Sequence, residues 1–197
     1  MKRLLVATRN EGKLRELRDL LAVPNLVLET FAQYPLIGDL EETGVTFEAN
    51  ARAKALHAAR SSGVLALGED SGLEVDALGG APGVYSARYA GPERNDVANL
   101  EKLLRDLARA ENRRARFVCT VAVAEPDGTV SATARGTCEG AIALTPRGAG
   151  GFGYDPVFLP DAAPSRTMAE LTSNEKAALS HRGQALRRIV PFLREVL

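Results

Sequence analysis

Cysteine is scarce: Cys119 and Cys138 are the only two in 197 residues. Neither sits in a CxxC pair or a Cys/His cluster, and both lie among β-prone residues. They read as buried free thiols in a reducing compartment, not as zinc ligands, nucleophiles or a disulfide framework. An excess of charge of either sign is also missing, since 25 basic residues balance 25 acidic ones. That removes the electrostatic footprint of a duplex DNA or RNA binder. A small phosphorylated ligand needs only local positive charge and stays open. No apolar run approaches the length of a membrane span. Met1-Lys2-Arg3 with Leu4-Leu5-Val6-Ala7 is too short for a secretory signal and reads better as a first β-strand. Internal repeats, low-complexity tracts and linkers are absent too. The expectation is a cytoplasmic protein without membrane or nucleic-acid partners, folded as a single domain over 1–197. At this length a chain buries a core without help from disulfides or structural metal.

What is present is the alternation of an α/β layer fold. Leu4 to Ala7 form a short apolar run ended by the polar loop 8–13. A helix follows with Leu14, Leu17, Leu20 and Leu21 on one face, and Leu26 to Leu28 make the next strand. The stretch 35–45 is acidic and turn-rich, with Asp39, Glu41 and Glu42 before Gly44. Thr46 then caps a helix running to about Arg60. Val64 to Leu67 read as a strand, Glu69-Asp70-Ser71-Gly72 as a sharp turn, and Leu73 to Leu78 as a further extended segment. The Gly/Pro run 79–83 excludes regular structure. An amphipathic helix spans Asn95 to about Ala110. Arg116 to Ala124 and Thr129 to Cys138 flank the hairpin turn Glu125-Pro126-Asp127-Gly128. A long final helix carries Leu186, Ile189, Val190 and Leu193. Parallel-type units followed by an antiparallel hairpin predict a mixed, twisted sheet with flanking helices.

Three groups of residues suit chemistry on a phosphorylated ligand. The loop Thr8-Arg9-Asn10-Glu11-Gly12-Lys13, between a strand and a helix N-terminus, offers backbone N–H groups, a glycine for close approach and a lysine. It is not a Walker A loop, because Leu14 follows the lysine and GxxxxGK[ST] is absent. Taken alone, such a loop more often binds nothing. Glu42, Glu69 and Asp70 then place hard oxygen ligands beside glycines, and such carboxylates suit Mg2+ held jointly with substrate phosphates. Asp70 is the strongest of them, because a buried strand should carry it to the strand's carboxyl end, where open α/β sheets bind ligands. Glu41 reads as a solvated charge. Asn50 and Lys54, four apart on the second helix, share a face. Phe47 reads as core packing. Last, Phe152-Gly153-Tyr154-Asp155 sets an aromatic ring among flexible residues as a platform for a base. Lys176 and His181-Arg182, with Ser180 as a helix cap, suit the reading of polar base atoms.

Taken in order, these pieces resemble the Ham1/inosine-triphosphatase family. The matching blocks are Thr8 to Lys13, Glu41-Glu42-Thr43-Gly44 with Thr46-Phe47 and Asn50-Ala51, and Asp70-Ser71-Gly72-Leu73. They continue through 79–89, Gly150 to Pro156, Ala169-Glu170-Leu171 and Ser180 to Ala185. Each block is modest alone; the ordered set covers nearly the whole chain. The resemblance implies an α/β fold of two lobes around a central substrate cleft, usually a homodimer. It implies Mg2+-dependent hydrolysis of non-standard purine nucleoside triphosphates (dITP, ITP, XTP) to the monophosphate and pyrophosphate. Carried over by position, Thr8, Arg9, Asn10, Glu11, Gly12 and Lys13 bind the triphosphate. Asp70 is the catalytic carboxylate and holds the metal with Glu42. Ser71 contacts substrate, while Phe152, Gly153, Tyr154, Asp155, Lys176, His181 and Arg182 enclose and read the purine. Glu69 stands where many relatives have aspartate, and Arg9 where glycine is common.

Two rival readings keep part of this set. A phosphomonoesterase, or a pyrophosphatase for modified pyrimidines, shares the metal and phosphate elements but needs a different base pocket. A non-catalytic nucleotide-binding module needs only the loop and the aromatic platform. Against that last reading stand Glu42 and Asp70, since carboxylates repel a phosphate unless a metal intervenes.

Overall fold

The computed structural model describes residues 2–21, 23–38 and 40–197; Met1, Ala22 and Asp39 lie outside them. Strand β1 (Lys2–Ala7) buries Leu4, Leu5, Val6 and Ala7. Helix α1 (Glu11–Leu20) starts earlier than a loop over 8–13 would allow, so Glu11, Gly12 and Lys13 occupy its first turn. The reason is a cap: the Asn10 side chain accepts the Lys13 N–H at 2.9 Å, satisfying a donor the helix itself leaves open. Leu14 and Leu17 bury the inner face of α1. Strand β2 (Leu26–Glu29) pairs with β1 in parallel, from Lys2 opposite Leu26 to Leu5 opposite Glu29.

Helix α2 (Phe47–Ser62) is capped by Thr46, whose hydroxyl accepts the Ala49 N–H at 3.1 Å, and ends at Gly63 in the left-handed region, φ 71°. Phe47 is buried. Ala51, Ala55, Ala58 and Ala59 are fully buried at helical spacing, a face of small side chains that lets α2 lie close to strand β3 (Ala66–Val75). Gly68 completes that approach, since a Cβ there would stand 2.2 Å from the Ala51 carbonyl oxygen and 2.5 Å from the Ala55 nitrogen.

β3 overturns one expectation. Instead of a strand, a turn at 69–72 and a second extended segment, one ten-residue strand runs through Glu69, Asp70, Ser71 and Gly72. The acidic, glycine-bearing tetrapeptide has turn propensity, but pairing with β1 (Leu5 opposite Ala66 to Ala7 opposite Gly68) begins a buried strand that tertiary contacts extend. A 3-10 turn at Asp76–Leu78 and a 3-10 helix at Gly83–Arg88 follow, so the glycine-rich run is regular only at its last residue.

Helix α3 (Asp96–Asp106) is capped by Asn95. Strands β4 (Arg114–Ala124) and β5 (Val130–Ile142) flank the expected turn, closed by the Glu125 N–H to the Thr129 oxygen at 2.8 Å, with Gly128 at φ 95°. The short strand β6 (Phe158–Pro160) pairs antiparallel with β5. Helices α4 (Ser173–Leu179) and α5 (His181–Val196) close the chain. The sheet order is β2-β1-β3-β4-β5-β6, parallel at one edge and antiparallel at the other.

The chain forms two compact units. Unit 1 holds Met1–Asp70, Cys119–Gly136 and Gln184–Leu197. Period-two alternation on β1 sends Leu4 and Val6 into a core with Leu14, Leu17, Leu67, Leu186 and Ile189, and Leu5 and Ala7 into another with the α2 alanines. Unit 2 holds Ser71–Val118 and Thr137–Gly183, around Leu73, Leu103, Phe117, Phe158 and Met168. Cys119 and Cys138 are buried free thiols, and burial pushes the Cys138 thiol up to about 12. Among the described residues, no helix is long and apolar enough to cross a membrane.

Candidate active site

In unit 1 Glu69 and Asp70 come from the middle of β3, not from a loop, while Glu42 stands in the loop before α2. Successive strand residues point to opposite faces, so Glu69 and Asp70 meet different helices. Glu69, 2% exposed, turns to α1, where its Oε1 lies 3.4 Å from the Lys13 Nζ. Asp70, 4% exposed, turns to α2, where two residues one turn apart hold its two oxygens. Lys54 Nζ stands 2.8 Å from Asp70 Oδ1, and Asn50 Nδ2 donates to Asp70 Oδ2 at 3.1 Å. The same ammonium reaches Glu42 Oε2 at 3.1 Å and donates to the Glu69 backbone oxygen at 3.3 Å. Burial by itself would lower the Lys54 pKa; the Asp70 and Glu42 charges outweigh it and leave the ammonium above the ordinary lysine value.

The segment before α1 is internally tied. The Thr8 hydroxyl accepts the Asn10 N–H at 3.2 Å, Asn10 caps the helix, and Lys13 projects to Glu69. Glu11 and Gly12 stand in the first helical turn, with Glu11 exposed. Arg9 donates to the Ile37 oxygen at 3.0 Å and lies over the Phe31 ring at 4.8 Å.

Unit 2 assembles the second set. Asp155, 3% exposed, takes the Lys176 ammonium at 2.6 Å and the Phe152 N–H at 2.9 Å on one oxygen. Lys176 Nζ is 4.9 Å and the Arg182 guanidinium 5.7 Å from the Phe152 ring centre, so two cations attend one aromatic ring. Arg182, 2% exposed, donates to the Ser71 hydroxyl at 3.1 Å. His181 stacks on Phe117 with centroids 4.7 Å apart. The Ser180 hydroxyl accepts the Gly183 N–H at 3.0 Å, which caps α5 and fixes His181 and Arg182 in its first turn. Gly151 is required where it stands: φ is 73°, and a Cβ would fall on the Asp155 carboxylate. Gly153 donates its N–H to the Asp96 carboxylate at 2.9 Å. Tyr154 is buried in the unit 2 core, where its hydroxyl donates to the Ser86 oxygen at 2.8 Å and burial pushes its pKa up.

The structure thus brings Lys13, Glu42, Asn50, Lys54, Glu69 and Asp70 together in one unit, and Ser71, Phe152, Asp155, Lys176, His181 and Arg182 in the other. Asp96, Ser86 and Phe117, which hold Gly153, Tyr154 and His181, carry no local sequence signal; they are met only through long-range contact. Among the described residues, no group of three or more His, Cys, Asp or Glu is arranged as a metal cage. Glu42 and Asp70 nevertheless share a single cation, the Lys54 ammonium. Two hard carboxylates converging on one positive charge fit Mg2+, which takes one or two protein carboxylates and completes its shell with water and phosphate.

Known proteins match along the same length. The model of the Ham1 family fits residues 4–192. A dITP/XTP pyrophosphatase of Exiguobacterium sp. is 50% identical over 98% of this chain and 99% of its own length. One from Streptomyces coelicolor is 49% identical, covering 100% of both chains. Among solved structures, a HAM1 protein from Coxiella burnetii superposes with a TM-score of 0.88 at 42% identity, covering 99% of this chain and 100% of that one. The Staphylococcus aureus Ham1 protein gives 0.88 at 39% identity, covering 100% of both. With sequence blocks, sheet and full-length relatives in agreement, the chain belongs to the Ham1 family.

Proposed function

We propose that this chain hydrolyses non-standard purine nucleoside triphosphates, dITP, ITP and XTP, to the monophosphate and pyrophosphate, with Mg2+ as cofactor. Full-length relatives at half identity carry the name dITP/XTP pyrophosphatase, and the site chemistry agrees. The observation that carries the reading is Asp70, a buried carboxylate held on both oxygens by Lys54 and Asn50 with Glu42 on the same ammonium.

In this reading, water attacks the α-phosphorus, a new P–O bond forms and the bond to the bridging oxygen of pyrophosphate breaks. Asp70 orients the water and takes its proton. Lys13, Lys54 and the N–H groups at the start of α1 balance the phosphate charge. A bound Mg2+, held by Glu42 and Asp70, supplies further neutralisation of the phosphate oxygens and the leaving pyrophosphate. Phe152 stacks on the purine, and His181, Arg182 and backbone N–H donors address the C6 oxygen of hypoxanthine or xanthine. Adenine presents an amino group there, which leaves those donors unpaired and rejects dATP by orders of magnitude. The same reading places the enzyme with the cytoplasmic nucleotide pool as a homodimer, for which light scattering is the check.

The test is pyrophosphate release from dITP, XTP and dATP, with Mg2+ and with chelator, for wild type and Asp70→Asn. Release from dITP and XTP that needs Mg2+, exceeds dATP by at least about 10²-fold and is lost in the variant is the expected result. Comparable turnover of dATP overturns the base reading, and release of inorganic phosphate overturns the reaction.

A further inference from the structure

One buried side chain in unit 1 joins the segment carrying Glu42 to Asp70. Asn50, 2% exposed, donates from Nδ2 to Asp70 Oδ2 at 3.1 Å. At its other end Oδ1 accepts the Gly44 N–H at 2.9 Å, and Gly44 lies two residues beyond Glu42. The partners fix the amide's orientation, because a carboxylate requires a donor and a backbone N–H an acceptor. No ionised carboxylate of the same size can do both, and an apolar side chain can do neither. The fit is tight at the glycine: a Cβ on Gly44 would stand 2.3 Å from Asn50 Oδ1, although the backbone there is not in the left-handed region. The strand, the helix and the preceding loop are thus tied by a single amide. Asp70 Oδ2 accepts from this amide, while Oδ1 accepts from the Lys54 ammonium at 2.8 Å.

We infer that Asn50 is a positioning residue that sets Glu42 and Asp70 at the spacing a divalent cation needs, with Gly44 as its required partner. The inference rests on the Mg2+ reading above and adds to it the residue that orients the two ligands. A side chain behind a metal ligand typically controls metal affinity by 10–100-fold, whereas a residue that merely fills space changes stability and leaves the affinity of the folded protein alone.

Two variants reach the amide from opposite ends. Asn50→Ala removes it, and Gly44→Ala displaces it without altering any group on Asp70. Mn2+ binding is titrated by loss of the free-ion EPR signal, with a non-hydrolysable α,β-imido dITP present, on protein whose fold is verified by circular dichroism. The Mg2+ concentration for half-maximal pyrophosphate release is measured alongside. Both variants are expected to weaken Mn2+ by about 10–100-fold, to raise the Mg2+ requirement in parallel and to regain most of kcat at saturating Mg2+. A folded variant with lowered stability but Mn2+ affinity within about twofold of wild type overturns the inference. If Asn50→Ala fails to fold, Gly44→Ala decides by the same criterion. Wild-type hydrolysis that is unchanged by chelator, with no Mn2+ bound, removes the metal reading itself and this inference with it. Tight wild-type binding with unaffected variants removes only the inference.

Discussion

Lys176→Met should destabilise the protein far more than loss of a surface ion pair would. Lys176 Nζ lies 2.6 Å from Asp155 Oδ2, and the two side chains are only 12% and 5% exposed. At that separation and an effective dielectric constant near 20, the attraction is about 6 kcal/mol. Desolvation of both groups offsets much of it, so the pair's net worth is small. Its half-removal is another matter, because methionine leaves the buried carboxylate without its neutralising ammonium, a cost of about 3–5 kcal/mol. An exposed pair would be worth about 0–1 kcal/mol. Asp155→Asn in the same chain should recover much of the loss, since a neutral amide oxygen can still accept the Phe152 N–H that Asp155 now accepts. The assay is urea unfolding followed by circular dichroism for wild type, both single variants and the double variant. A coupling energy of at least about 2 kcal/mol is expected from the cycle. A Lys176→Met protein within about 1 kcal/mol of wild type would refute the reasoning, because the pair would then behave as a solvated one.

Two further outcomes follow from packing and from charge. Gly68→Ala should cost about 1–3 kcal/mol, or about 2–4 °C of melting temperature per kcal/mol, because its Cβ meets the α2 backbone; Gly38→Ala, with nothing within 4 Å, is the control and should melt like wild type. Glu175 is held down to about 2 by Arg166 and the Thr172 N–H, so its ionised form favours the folded state. That contribution is fully present above the ordinary glutamate value of about 4.3 and is lost as pH falls through about 2. Glu175→Gln preserves the capping box and should unfold at lower urea than wild type at pH 7, with the gap closing between pH 4.5 and pH 2; a gap constant across that range would contradict the assignment.

The sequence by itself determined the parts whose causes are local. Apolar periodicity marked α1, α3 and α5, and the Thr46 cap marked α2, while the Asn10 cap starts α1 inside a stretch that reads in line as a loop; Glu125 to Gly128 had to turn. The order of short motifs was enough to identify the family, and Asn50 and Lys54 were legible as neighbours because four residues make one helical turn. Tertiary structure decided what depends on a partner far along the chain. Glu69-Asp70-Ser71-Gly72 has the composition of a turn, yet in a ten-residue buried strand alternation sends one acid to Lys13 and the next to Lys54 and Asn50. Tyr154 has the composition of a base platform, yet burial and the Ser86 carbonyl draw its hydroxyl into the core. Asp155 gave no sign in sequence that it would bind Lys176 or forbid a side chain at Gly151. Propensity and capping act over a few residues and can be read in line, whereas the pairing of buried charges is fixed only when strands and helices distant in sequence are packed together.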